Sequence, residues 1–277
     1  MSVDAPAGAT PDPRFRDSTQ RYVEHVMGMP ISLAMRGRHA ADRRGRQAWA
    51  DALTSLRAAD QLFSTYRPDS FLSRMIRQEK GTEQLPPDVA EVFALGHRAE
   101  RESGGAFSIR RPGPGGDVVL DPNGVVKGWA VERAAEHLRA LDATDFCLSA
   151  GGDMTCRTLD PTTAPWRIGI ENPFDTRTLI AVVPVHTGAV ATSGTAHRGS
   201  HLVDGRTGQP PTGVASVTVI ADTLTWADID ATAAYAMGER AAEWLAARPV
   251  RSSLVVWADG TTSLDEPEKP ERAAARC

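Results

Sequence analysis

Asp228 and Thr232 stand four residues apart in the run TLTWADIDAT, a helical pattern that sets both side chains on one face. A carboxylate and a hydroxyl so placed offer hard oxygens to a cation such as Mg²⁺. Just upstream, AVATSGTAHRGSHLVDGRTGQP packs small residues and glycines whose backbone N–H groups suit an anion. An anion-holding loop beside a hard-cation site is equipment for phosphate chemistry. A plainer reading competes, because Thr225-x-x-Asp228 resembles a capping box in which Asp228 would only tie off the helix start. Asp230 falls on another face and reads as a cap or a solvated carboxylate.

A second stretch, LDPNGVVKGWAVE, sets Asp121 before an Asn-Gly turn and Lys127-Gly128 at a helix start. A helix N-terminus carrying a lysine suits a pyrophosphate, although a simple turn-to-helix junction would look the same. Neither a P-loop nor a dinucleotide fingerprint occurs. His197, His201 and Asp204 read H-x3-H-x2-D, yet no glutamate takes the metalloprotease position, so a histidine acting as base or donor is favoured over zinc. Ser193 lies in TSG rather than GxSxG and supports no triad. Read singly, Met27, Tyr66 and Phe107 are ordinary packing residues.

The elements that must carry these residues alternate without βαβ regularity. Residues 25–37 read as a strand interrupted at Gly28. Trp49, Ala52, Leu53, Leu56, Ala59 and Phe63 define an amphipathic helix ending near Pro68. A second helix starts at Pro87 and runs to Gly104-Gly105, and a third covers about 128–141. TDFCLSAGG, WRIGIE, LIAVVPVH, AVATSG and VASVTVIA are strands, 226–238 and 239–247 are helical, and SLVVWADGTTSL is a hairpin. The expectation is an α+β fold, one domain over 19–264 with loose tails at 1–18 and 265–277.

Bulk properties narrow the function classes. The chain has 277 residues, 41% apolar and 24% charged, with a net charge of −4 that argues against nucleic acid as a partner. No window approaches the roughly 20 apolar residues of a membrane span. The first residues lack a basic or apolar leader, and Cys147, Cys156 and Cys277 form no CxxC, so the expected compartment is the reducing cytoplasm. Cys147 and Cys156 flank a Gly-Gly turn and could meet across a hairpin, as buried thiols rather than a disulfide.

Taken together, VMGMP, FSTYRPDSFLSRM, GGAFS, LDPNGVVKGWAVE, LSAGGDM, WRIGIENP, ATSG, HLVDGRTGQP and SVTVIADTLTWADIDAT occur in an order that resembles the ApbE-like flavin transferases, over about residues 26–238. The resemblance implies mixed antiparallel sheets with packed helices, related to the T-fold. It also implies Mg²⁺-dependent splitting of FAD, with FMN joined through a phosphoester to a Thr or Ser of an acceptor protein and AMP released. Carried over by position, Asp228, Thr232 and the Gly124 carbonyl would hold Mg²⁺. Met27, Tyr66, Ala106, Phe107, Ser108, Asp121, Lys127 and Leu202 would contact FAD. Lys127, Asp228 and His201 are the catalytic candidates, His201 as acceptor of the hydroxyl proton.

This chain departs from the family pattern in places. Ser108 stands where the family has Asp, Gly205 follows Asp204 where Pro is usual, and Thr195-Ala196 replace a polar–aromatic pair. The run from Phe107 to Asp121 is also shorter than in relatives, where it helps cover the flavin. Two other readings follow from these departures: an FAD pyrophosphatase giving FMN and AMP, and a non-catalytic FAD-binding protein.

Overall fold

The computed structural model describes residues 19–77, 85–112, 117–196 and 202–266. Its frame is an eight-stranded antiparallel sheet. In spatial order the strands are β1 (Gln20–Val26), β2 (Met29–Gly37), β5 (Thr144–Ala150), β6 (Asp153–Arg157), β9 (Gly188–Gly194), β10 (Val214–Ala221), β11 (Ser252–Trp257) and β12 (Thr262–Asp265). Two small pairs stand apart, β3 (Arg110–Pro112) with β4 (Val118–Leu120), and β7 (Trp166–Asn172) with β8 (Asp175–Val185). The mixed antiparallel α+β expectation holds.

Helices cover one sheet face and the β7–β8 hairpin the other. Alternation along β9 shows the division: Ala189 and Ala191 join the core beneath the helices, while Val190 joins Cys156, Ile168 and Val185 on the far side. The helices are α1 (Arg43–Phe63), α2 (Phe71–Ile76), α3 (Pro87–Glu102), α4 (Asn123–Arg139), α5 (Leu224–Ala236) and α6 (Ala241–Ala246). Helix α4 lies between α1 and α5, and α5 rests on β9 and β10. No helix among the described residues is long and apolar enough to cross a membrane.

Local chemistry explains most boundaries. Asp42 caps α1 by accepting from the Gly45 N–H at 3.0 Å, and all six apolar residues predicted for its inner face are buried. Pro87 opens α3, and Gly104 and Gly105 end it in the left-handed region.

Three expectations need correction. The stretch 25–37 is a hairpin turn and its second strand: Met27 (φ 56°) and Gly28 (φ 70°) both take positive φ, so the chain reverses and Val26 pairs Met29. Helix α4 starts at Asn123, ahead of the predicted 128, because the Asp121 carboxylate accepts from the Asn123 N–H at 3.2 Å and begins the helix where an Asn-Gly turn was expected. Asp230 meets neither cap nor solvent; it is buried against Arg248. Cys147 and Cys156 do face each other across β5 and β6, as free thiols with sulfurs 3.3 Å apart.

Candidate functional site

The site grows from the crossing of α4 and α5. Helix α4 presents Gly124 and Gly128 at i and i+4, and α5 presents Thr232 and Asp228 at the same spacing in the opposite direction. A Cβ on Gly128 would stand 2.7 Å from the Leu224 carbonyl oxygen and 2.8 Å from the Asp228 Cβ. One on Gly124 would stand 2.9 Å from the Phe107 ring and 3.4 Å from the Thr232 methyl. Two glycines thus let the helices approach until backbone meets side chain, and the Asp228–Thr232 face is spent on that approach rather than on solvent.

This contact also settles the capping question. The N–H of Leu224, at the start of α5, donates to Glu132 Oε2 at 2.6 Å, so α4 serves the helix start and leaves Asp228 free for another task. Asp228 Oδ2 instead accepts the Gly128 N–H at 2.9 Å. In a regular helix that N–H would close onto the Gly124 carbonyl. The atom the sequence nominated for a cation, the Gly124 carbonyl, thus belongs to the helical turn just before the N–H that Asp228 accepts.

Lys127 reaches between two buried carboxylates. Its Nζ lies 3.2 Å from Asp228 Oδ1 and makes a close ion pair with Asp153 Oδ2. Asp153, the last residue of AGGD, is 1% exposed, and its Oδ1 accepts the Thr192 N–H at 3.0 Å. Burial works against the Lys127 charge, but Asp153 and Asp228 outweigh it and hold the ammonium well above the usual lysine range. Burial pushes the Asp228 carboxyl up to about 7, with Lys127 opposing the rise and Asp153 adding to it. Two carboxylates sharing one ammonium leave one negative charge uncompensated, and a buried surplus of that sign calls for a cation or a proton.

The donor set suits a hard cation. Thr232 is half-buried with its hydroxyl 3.1 Å from Ser193 Oγ, and it shares with Asp228 the α5 face that packs on Gly124 and Gly128. Among the described residues no three His, Cys, Asp or Glu side chains group as a metal site, and His197 and His201 of the H-x3-H-x2-D run lie outside those residues. Sequence reading missed Asp153 as a charged partner and weighed Ser193 only as a nucleophile. The one signal was the acidic end of the AGGD turn, since their partners come from sheet register.

The predicted flavin contacts fall into groups. Ala106 and Phe107 are buried in the loop after α3, with the Phe107 ring against Gly124. Ser108 donates to the Arg110 carbonyl at 2.7 Å and to Glu100 Oε1 at 3.1 Å. Asp121 stands at the α4 start, and Leu202 packs on the core beside the Asp204–Arg206 pair. Met27 occupies the β1–β2 turn at the sheet end shared with the Gly151-Gly152 turn, since the Gly151 N–H donates to the Pro30 carbonyl. Tyr66 is 95% exposed between α1 and α2 and packs on none of these. His201, like His197, lies outside the described residues. A polar cleft of about 350 Å³ beyond the α5 C-terminus is lined by Asp204, Gln209 and Glu239, and by no residue of the Lys127 cluster.

Two departures from the family pattern turn out to touch. The Gly205 N–H donates to the Ala106 carbonyl at 2.9 Å, which a proline could not do. A Cβ on Gly205 would stand 2.7 Å from the Gly105 carbonyl oxygen and 2.9 Å from the Ser108 Cβ. Ser108 and Gly205 are therefore one local solution.

The comparisons with known proteins bear on the family and the fold. The ApbE family model matches residues 27–112 and 111–255, two stretches that meet in the short run between Phe107 and Asp121. An FAD:protein FMN transferase of Vibrio cholerae is 32% identical over 133 residues, covering 44% of this chain and 40% of that protein. One from Rhodobacter capsulatus is 35% identical over 153 residues, covering 52% and 29%. The aligned stretch thus spans less than half the length of these curated relatives. Among solved structures, the flavin transferase ApbE from Vibrio cholerae superposes with a TM-score of 0.74 at 22% identity, over 90% of this chain and 97% of that one. The apo flavinyl transferase ApbE from Pseudomonas stutzeri gives 0.76 at 24%, over 90% and 95%. With its family model matched over most of the sequence, the chain belongs to the ApbE family.

Proposed function

We propose that this chain transfers FMN from FAD to a Thr or Ser hydroxyl of an acceptor protein, releasing AMP, with Mg²⁺ bound by Asp228, Thr232 and the Gly124 carbonyl. The observation that carries the reading is the buried cluster at the α4–α5 crossing: two carboxylates, one ammonium and a surplus negative charge beside a hydroxyl and a backbone carbonyl. The printed names of the curated relatives support the substrate and the group transferred.

In this mechanism the acceptor oxygen bonds to the FMN phosphorus as the pyrophosphate P–O bond breaks, and the electron pair leaves with AMP. Bound Mg²⁺ would neutralise pyrophosphate oxygens and stabilise charge developing on the transferred phosphoryl group. Lys127 supplies a permanent positive charge beside the pyrophosphate. Asp121, Ala106–Ser108, Leu202, Met27 and Tyr66 orient the flavin and its ribityl chain. His201 takes the proton of the attacking hydroxyl.

Incubation with FAD, Mg²⁺ and a flavin-accepting protein should give a fluorescent band that survives denaturation and disappears in Asp228→Ala. No covalent flavin with any acceptor sinks the transferase reading. AMP formed without acceptor would make the protein an FAD pyrophosphatase, and tight FAD binding without AMP would make it a carrier.

A further inference from the structure

Asp153 and Asp228 are built alike. Each carboxylate is almost fully buried and has one oxygen fixed by a backbone N–H, from Thr192 for Asp153 and from Gly128 for Asp228. Each turns its other oxygen to the same Lys127 ammonium. The two differ in surroundings: Asp228 shares its helix face with Thr232 and meets the Gly124 turn of α4, whereas Asp153 sits on β6 with its second oxygen given to Lys127.

An ammonium and a divalent cation on the same carboxylate oxygen repel each other. Loading a cation on Asp228 therefore requires somewhere for the Lys127 charge to go, and a solvent path is poor because its side chain is only 21% exposed. We infer that Asp153 is a positioning residue for cation loading: it takes over the Lys127 ammonium and so frees Asp228 Oδ1 for the metal. This rests on the cation reading of Asp228 and adds to it a second carboxylate that binds no metal. Without Asp153, Lys127 would fall back wholly onto Asp228 and compete with the cation.

The test is a double-mutant cycle read by calorimetric binding of Mn²⁺ alone, without FAD or acceptor. Wild type should bind, and Asp228→Ala should not. Asp153→Asn should weaken binding about tenfold or more in the wild-type background, and less than about threefold in a Lys127→Met background. Lys127→Met alone should bind more tightly than wild type, which tests the same competition without altering Asp153. An equal cost of Asp153→Asn in both backgrounds would mean that Asp153 acts on the cation directly, and the inference falls. It falls too if Asp153→Asn lowers the thermal midpoint while leaving Mn²⁺ affinity unchanged, or if Lys127→Met binds no tighter than wild type. Wild type binding no Mn²⁺, or Asp228→Ala binding as well as wild type, would overturn the cation site itself and this inference with it.

Discussion

Two aspartates two residues apart on α5 have opposite surroundings. Asp228 and Asp230 are equally buried, and burial raises both carboxyls, Asp230 to about 6. Asp230 receives the Arg248 guanidinium at 2.9 Å, and the same guanidinium bonds Glu102 at 2.7 Å and lies over the Trp226 and Trp244 rings. Arg98 adds a second cation on Glu102 and over the Trp226 ring. That cluster matches two carboxylates with two guanidinium groups. At Asp228 two carboxylates share one ammonium. The balanced cluster has the form of a structural network; the unbalanced one leaves a negative charge for the cation proposed there.

This contrast can be broken by experiment. The largest effect is expected from Asp228→Ala, which should cut covalent flavin transfer by about 10³-fold or more while leaving the thermal midpoint unchanged or higher, since it removes surplus charge. Acceptor labelling and thermal melts on one preparation read both. Asp230→Ala should do the reverse. It takes one of two carboxylates from Arg248, leaving Glu102, and should cost about 1–3 kcal/mol in denaturant titration, with transfer per folded molecule retained. If the two variants exchange phenotypes, the division between structural and chemical clusters is wrong.

Gly128→Ala probes the crossing that holds the two clusters on opposite sides of α5. Its Cβ meets the Leu224 backbone as well as Asp228, so it should cost about 1–3 kcal/mol and lose most transfer activity. Gly124→Ala, whose Cβ meets a Phe107 ring edge, should be milder, and equal losses would count against close helix approach as the reason. The smallest effect concerns Glu102, whose carboxyl is held below the usual glutamate range by Arg98 and Arg248 against its burial. A lowered carboxyl contributes stability above its unfolded value and loses it as pH falls through the folded one. Glu102→Gln should therefore flatten the acid side of the stability profile by under about 1 kcal/mol, because the pair is partly solvated. A profile identical to wild type would remove Glu102 from the balanced cluster.

What could be read in the sequence was local. The Trp49-to-Phe63 face, the Pro87 start and the Asp-Gly hairpin are written within a few residues of where they act, and so is the shared face of Asp228 and Thr232. What could not be read depended on distant partners. Asp228 resembled a cap because Thr225 precedes it, while the group that serves the α5 start is Glu132, supplied by another helix. The α4 start was misplaced because Pro122-Asn123-Gly124 carries turn chemistry that the Asp121 carboxylate converts into a helix start. Asp153 and Ser193 escaped because strand register decides that they face Lys127 and Thr232. The departures at Ser108 and Gly205 looked independent until their side-by-side placement was visible.

The crossing of α4 and α5 has a temporal meaning as well. The Gly128–Asp228 bond joins residues 100 apart in the chain, so during synthesis α4 is complete long before its partner exists. Until α5 emerges, the glycine stripe has no mate and Lys127 has Asp153 alone, and closing so long a loop is among the slow, late events of folding. The nascent chain can build β1, β2 and α1 early, but the α4–α5 crossing cannot form until α5 has been made. The proposed transfer would therefore wait on α5, and a chain released before α5 should show none.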